Sequence, residues 1–290
     1  MANILKEFSD ATTGVVEAAA RFVVAVNGRD RGAASGIIVR PGVVVTAEEA
    51  LERDEDVTVV LPDGREAAAT VAGRDPTTDV AVLRVSGVDI AAPVAAATPK
   101  AGAIIIGVGR VGKDVVAALG SVAFVGDAWQ SSQGGVIDAM IRADITLRPA
   151  TEGGALVDAE GKMIGMAVFG PRRRVLAIPH ATVVRAVDHI LAHGSVARGY
   201  VGVNVQRVSA DSDSTGGAMI VGLDADGPAK KAGLLLGDIV VTWNGDAVNG
   251  SRAIIDKLGP SSVGQQVKLG LSRAGKPVEV SLTVAARPAA

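Results

Sequence analysis

The sequence predicts a mainly β protein in two parts, a barrel or sandwich of many short strands followed by a smaller second unit. Three observations predict it. Short β-branched runs recur through the first 180 or so residues, divided by turn signals rather than by helical stretches, which points to closed or stacked antiparallel sheets. A segment of helical period near Ala181 then breaks this texture and stops at Gly194. Finally, 290 residues of which 48% are hydrophobic suffice for two buried cores.

The elements follow in order. A small polar cap at Ser9 or Asp10 precedes Val15, Val16, Ala19 and Ala20 at helical spacing, so a short helix is expected to about Ala20. Strands are expected at Arg21 to Val26, Gly36 to Val39, Val43 to Thr46 and Val57 to Leu61. Pro62-Asp63-Gly64-Arg65 is a tight turn, proline fixing one φ and glycine supplying a positive one. Further strands are expected at Ala67 to Val71, Val80 to Val85, Ala103 to Val108, Val115 to Val125, Val136 to Arg142, Ala155 to Val157, Met163 to Phe169 and Val175 to Ala177. Ala181 to His193 carries Val183, Val184, Val187, Ile190 and Leu191 on one helical face. The second unit has a polar loop at Ser209 to Gly217, strands at Met219 to Leu223 and Ile239 to Trp243, short helices from Gly227 and at Ser251 to Leu258, and a closing hairpin of Val267 to Leu271 with Val278 to Val284. This divides the chain into a helical segment 1–20, a domain 21–194 and a domain 195–290.

Composition excludes several functions. A net charge of -2 with no block of five like charges provides no basic stripe for nucleic acid, and 2% aromatics leaves no base-stacking platform. With no cysteines, disulfides and thiolate metal sites are absent. No cofactor is implied. No run is long and apolar enough for a membrane span, and residues 1–8 lack a basic leader with an apolar core. A cytoplasmic location is therefore expected, or a periplasmic one if the N-terminus is trimmed.

Several phrases carry a family resemblance. Ala34-Ser35-Gly36-Ile37-Ile38-Val39 with Val43-Val44-Val45-Thr46, Gly73-Arg74-Asp75-Pro76-Thr77-Thr78-Asp79, Gly153-Gly154-Ala155-Leu156-Val157-Asp158, and Ala177-Ile178-Pro179 stand in order along the chain. Arg198-Gly199-Tyr200-Val201-Gly202-Val203 and Gly233-Leu234-Leu235-Leu236-Gly237-Asp238-Ile239 follow them. This series resembles HtrA (DegP-like) serine proteases, which implies a trypsin-like double β-barrel followed by a C-terminal PDZ domain.

The resemblance also implies where catalysis would sit, and there the chain departs from the family. A serine protease needs a hydroxyl nucleophile, an imidazole base and a carboxylate that orients the imidazole. The aspartate position is Asp79, the histidine position holds Glu49, and the serine position, before the paired glycines, holds Glu152. Ala150 stands where a glycine shapes the oxyanion turn, and Arg148 replaces a small polar residue. His180, His189 and His193 all fall in the junction helix, and Ser131 and Ser132 have no visible base. The expected product is a pseudoprotease, with residual or unusual endopeptidase activity as the alternative.

Three converging carboxylates would repel one another, so at least one pKa should rise. Arg148 is the expected neutralising partner. A divalent cation held by Glu49, Asp79 and Glu152 is the other route, and simple drift to solvated acidic residues is a third.

In the second domain, Tyr200-Val201-Gly202-Val203 resembles the loop on which PDZ domains capture a peptide's C-terminal carboxylate, with Arg198 adding charge. Ile254, Ile255 and Leu258 are candidates for the apolar side-chain pocket, at least two of them doubling as core. The expected function is thus a scaffold or adaptor whose partners are peptides or protein C-termini. The resemblance implies a homotrimer as a further partner state, although Phe8 is the only aromatic before Arg21.

Overall fold

The computed structural model describes residues 3–29, 32–131, 133–194, 199–209, 216–259 and 262–287. Of the sequence expectations, Arg198, Ser132 and most of the 209–217 loop lie outside those residues.

Helix α1 (Ile4–Ala20) begins earlier than its sequence suggests. Asn3, not Ser9 or Asp10, is the cap, its Oδ1 accepting from the Lys6 N–H at 3.2 Å. Asp10 instead pairs with Lys6 one turn back at 2.5 Å, which makes the expected cap an interior helix residue.

Strands β1 (Val23–Asn27), β2 (Ala34–Arg40), β3 (Val43–Thr46), β4 (Val57–Val60), β5 (Glu66–Asp75) and β6 (Val80–Val85) close a six-stranded antiparallel barrel in the order β1-β2-β3-β6-β5-β4. Ile37, Ile38, Leu61 and Leu83 are among its fully buried side chains. Closure removes both sheet edges, and burial of β2, β3 and β6 on both faces explains why they read as nearly continuous apolar runs.

Next come β7 (Ile104–Val111), β8 (Asp114–Gly126), β9 (Trp129–Gln130), β10 (Val136–Ile137), β11 (Met140–Asp144), β12 (Ala155–Asp158), β13 (Met163–Phe169) and β14 (Val175–Pro179). A second closed barrel has the order β11-β14-β13-β12-β7-β8, while β9 and β10 form a separate hairpin. The single strand expected over Val136 to Arg142 is therefore two. Asp138 lies between them, its carboxylate accepting from Thr182 Oγ1 and Arg185 Nη1, each at 2.8 Å. Helix α2 (His180–His193) buries Val183, Ala186, Val187 and Ile190, and Gly194 ends it at φ 88°.

The second unit begins with β15 (Gly199–Tyr200), β16 (Val203–Val208) and β17 (Gly217–Leu223), then α3 (Pro228–Lys231), β18 (Ile239–Trp243), β19 (Asp246–Ala247) and α4 (Ser251–Ile255). It closes with β20 (Gln266–Arg273), β21 (Lys276–Thr283) and β22 (Ala285–Ala286). Its main sheet runs β16-β17-β18-β20-β21 around a separate core of Ile220, Leu234, Trp243 and Leu269. Helix α4 stops at Ile255, three residues short of the expected Leu258. The chain divides into its two compact units around residue 197.

Candidate functional site

Asp79 occupies a turn built by its own neighbours. The buried Asp75 carboxylate accepts from the Thr77 N–H at 3.0 Å and from the Thr77 and Thr78 hydroxyls at 2.5 Å. This local Asx-type network draws the chain back and leaves Asp79 at φ 57°, a left-handed conformation that Asp tolerates better than most residues. Asp79 Oδ1 accepts from the Glu49 N–H at 2.9 Å, and its carbonyl accepts from the Glu48 N–H at 3.3 Å.

The Asp79 carboxyl is pushed up to about 7. Burial is the leading cause, and the charges of Glu49, Glu152 and Glu48 push the same way. The Glu49 N–H bond opposes them without prevailing. Glu49 and Glu152 are thus near enough to act electrostatically on Asp79.

Glu152 is positioned by the link from β11 to β12. Pro149 starts a one-turn 3₁₀ helix, Pro149–Thr151, and the Glu152 N–H ends it by donating to the Pro149 carbonyl at 3.2 Å. The Glu152 carbonyl then accepts from the Ser35 N–H at 2.9 Å, fixing this turn against β2. Gly153 follows at φ 80°, where a Cβ would stand 2.4 Å from the Ser35 carbonyl oxygen. Only glycine fits both the backbone conformation and the space.

The Glu152 side chain is paired with Arg29, not with Arg148. Arg29 Nη2 lies 2.5 Å from Glu152 Oε2, and the two side chains are only 13% and 12% exposed. Arg29 Nε also donates to the Ala50 carbonyl at 2.7 Å, so the guanidinium bridges the Glu49–Ala50 segment and the 3₁₀ turn. Arg148 is exposed and caps that turn with its carbonyl, which accepts from the Thr151 N–H and hydroxyl. Sequence reasoning missed Arg29 because 123 residues separate it from Glu152. Its one local signal is a cation in the loop just after a buried strand.

Glu49 is exposed and contributes its backbone N–H to Asp79. Glu48 pairs with Arg74 at 3.2 Å, and Arg74 also reaches Asp54 at 2.8 Å. Among the described residues, no three histidine, aspartate or glutamate side chains converge closely enough to hold a metal ion. The expected cation site at Glu49, Asp79 and Glu152 therefore lacks its geometry; an internal arginine meets part of the same electrostatic demand.

The histidines stand elsewhere. All three lie on α2, His189 and His193 stacking with ring centroids 4.6 Å apart. Burial pushes the His180 pKa down. Ser131 Oγ donates to the Thr77 carbonyl at 2.6 Å, which makes it a support for the Asp79 turn.

In the second unit, Tyr200, Val201, Gly202, Val203, Ile254, Ile255 and Leu258 line one groove, as the sequence suggests. Gly202 adopts φ 75°. Its carbonyl accepts from Asp224 N at 3.0 Å, and the Val201 carbonyl accepts from Ala229 N at 2.8 Å. Among the described residues, the N–H groups of Val201 and Gly202 donate to no backbone carbonyl, which leaves two donors for an incoming acceptor. Val201, Ile254 and Leu258 belong to the buried core, whereas Val203 and Ile255 are half-buried. The apolar candidates thus split into a floor and a lining.

Comparison with known proteins agrees with this architecture. Residues 34–166 match the trypsin-like peptidase domain, and residues 199–284 match the PDZ domain. A probable periplasmic serine endoprotease DegP-like of Brucella suis biovar 1 is 32% identical over 270 residues, covering 83% of this chain and 50% of the relative. Its counterpart in Halomonas elongata is 32% identical over 255 residues, covering 82% and 53%. The chain spans about half the length of these curated relatives. A solved HtrA-type protease, AlgW with a tripeptide, superposes with a TM-score of 0.71 at 26% identity, covering 96% of this chain and 98% of that one.

The names of these relatives overturn the cytoplasmic expectation. They are described as periplasmic, whereas the cytoplasmic reading rested on the lack of a leader-like pattern and of a membrane-spanning apolar run in the sequence. No described helix is long and apolar enough to cross a membrane. Two closed barrels, a PDZ fold and these relatives together place the chain in the HtrA/DegP-type serine protease family, with one trypsin-like peptidase domain followed by one PDZ domain.

Proposed function

We propose that this chain is a non-proteolytic member of its family, acting as a scaffold that binds peptides or protein C-termini through its PDZ domain. The observation that carries the reading is the state of Glu152. A carboxylate occupies the nucleophile position of the family frame and is tied to Arg29 at 2.5 Å. Its N–H, which would have to face a developing oxyanion, is directed at the Pro149 carbonyl instead. Asp79 has no imidazole to orient and accepts from a backbone N–H. With hydroxyl and base both absent, even the residual ~10³–10⁴-fold acceleration that survives loss of one triad member would lack the Glu152 N–H as an oxyanion donor.

The groove of the second unit supports the binding half of the proposal, with its free Val201 and Gly202 donors beside an apolar floor. A homotrimer belongs to the same proposal. Helix α1 leaves Ile4, Leu5 and Phe8 exposed, at 76%, 79% and 45%.

A second reading keeps endopeptidase activity. It is favoured by the serine endoprotease names of the relatives and by an Asp79 carboxyl near 7, suited to proton exchange at neutral pH. Digestion of fluorescent casein separates the two. The wild-type chain is expected to release no more fluorescence than Asp79→Ala; wild-type turnover that Asp79→Ala abolishes would establish the second reading instead.

A further inference from the structure

Helix α2 ends in two histidines on one face. His189 and His193 stand four residues apart, the spacing that sets one side chain over the other and lets two imidazoles reach a single ion. Their rings stack with centroids 4.6 Å apart. Two imidazoles bound to one ion at about 2.0–2.1 Å, through an angle near 90–110°, hold their ring centres about 4.5–5 Å apart. The pair therefore already has the separation that a shared ion requires.

A backbone contact sets the chemistry of one ring. His193 Nδ1 lies 3.1 Å from the His189 carbonyl oxygen. A carbonyl only accepts, so in the neutral ring Nδ1 carries the proton and Nε2 keeps its lone pair. Metal-binding histidines are held in the same way, one ring nitrogen donating to a carbonyl or carboxylate while the other faces the ion.

The surroundings favour a cation. The pair sits in the last turn of α2, at the negative end of the helix dipole, and no lysine or arginine stands between Ala186 and Gly194. Asp188 is already paired with Arg40 at 2.5 Å, which leaves the imidazoles as the donors. The turn is also fixed. Ile190 is buried beneath it, and the Gly194 carbonyl oxygen packs so closely on Gly73 of β5 that a Cβ there would stand 1.8 Å away. Little further ordering is needed to bring the rings onto an ion.

We propose that His189 and His193 form a site for a divalent transition-metal ion, Cu²⁺ ahead of Ni²⁺ and Zn²⁺, which clamps the last turn of α2. Water completes the coordination. Imidazole nitrogens suit these ions rather than Mg²⁺ or Ca²⁺, and Cu²⁺ stands highest in the general order of affinity. Ile190 occupies the place where helical zinc hydrolases carry a glutamate base, so the ion has a structural role and no hydrolytic one. The site draws on neither the Glu49, Asp79 and Glu152 positions nor the groove of the second unit. Competition within the chain is small, because it has three histidines and no cysteine.

The test titrates the untagged full chain with Cu²⁺ by calorimetry and records electron paramagnetic resonance of the loaded protein. The wild-type chain should bind one Cu²⁺ with two imidazole nitrogens in the spectrum. Ni²⁺ and Zn²⁺ should compete for the site, and Mg²⁺ at the same concentration should not. His193→Ala and His189→Ala should each weaken Cu²⁺ binding at least about tenfold, whereas His180→Ala should leave it unchanged. Circular dichroism of the exposed His193→Ala variant should match wild type without metal, and Cu²⁺ should raise the melting temperature of wild type but not of this variant. Absence of wild-type binding, equal binding by wild type and both variants, or a spectrum with fewer than two imidazole nitrogens would overturn the proposal.

Discussion

Asp79 and Glu152 show how one site can give two carboxylates different partners. Glu152 faces a guanidinium at 2.5 Å, while Asp79 has only a backbone N–H and is pushed up to about 7. Below about pH 4 the folded and unfolded chains both hold the Asp79 proton. Between about 4 and 7 the unfolded chain releases it first, so Asp79 lowers stability progressively as pH rises through that window, and the effect levels off above about 7. Asp79→Asn, which can keep the bond from Glu49 and suits the positive φ, should raise stability at pH 8. The separation from an ordinary carboxylate corresponds to about 4 kcal/mol, which solvent access at this half-buried group should reduce to about 1–2 kcal/mol. Urea denaturation at pH 8 and pH 4 checks this, with the gain expected only at pH 8. Arg29→Ala should cost roughly 2–4 kcal/mol by leaving Glu152 poorly solvated and unpaired. Adding Glu152→Ala should recover part of that loss, and a double-mutant cycle reads the coupling. Glu49, Asp79 and Glu152 were legible in the sequence because each lies inside a short family-like phrase. Arg29 was not, since a long-range ion pair leaves no local pattern.

At the level of elements, patterns that depend on neighbours in sequence were legible, and those that depend on distant partners were not. Val43–Thr46, Val80–Val85, Met163–Phe169 and Ile239–Trp243 form strands over the limits their β-branched runs suggest. The apolar run at Val136 to Arg142 conceals a break, because Asp138 is drawn out by Thr182 and Arg185 more than 40 positions away. The start of α1 was hidden for a different reason. Asn3 caps it, but the apolar Ile4, Leu5 and Phe8 that follow are exposed, and only Ala19 and Ala20 of the helix are buried. The 3₁₀ turn before Glu152 depends on Gly153, whose Cβ would enter the space of the Ser35 carbonyl and the Thr46 hydroxyl. Gly153→Ala should therefore destabilise the first unit by roughly 2–4 kcal/mol, combining positive-φ strain with a steric clash. Thermal unfolding followed by circular dichroism measures it, and a change below 0.5 kcal/mol, about the level of a neutral surface substitution, would contradict the close fit.

For the whole molecule, the order of an all-β unit followed by a smaller second unit could be read from the switch in periodicity near residue 180, and the double barrel only from the family resemblance, while the pairing that brings β22 to β15 could not be read. The two units have separate buried clusters, one around Ile37 and Leu83, the other around Trp243 and Leu269. Leu269→Ala should cost about 2–5 kcal/mol in the second unit alone. Calorimetry should then show one transition lowered and the other unmoved, with peptide binding weakened. On the proposed non-proteolytic reading, the barrel pair has kept its frame and lost its nucleophile. Intact-mass spectrometry after incubation with a reactive fluorophosphonate, which forms a covalent bond only with an activated hydroxyl, tests it most directly. An unchanged mass is expected for the wild-type chain. A stoichiometric adduct mapped to a serine or threonine of the barrel pair, and lost in Asp79→Ala, would contradict it.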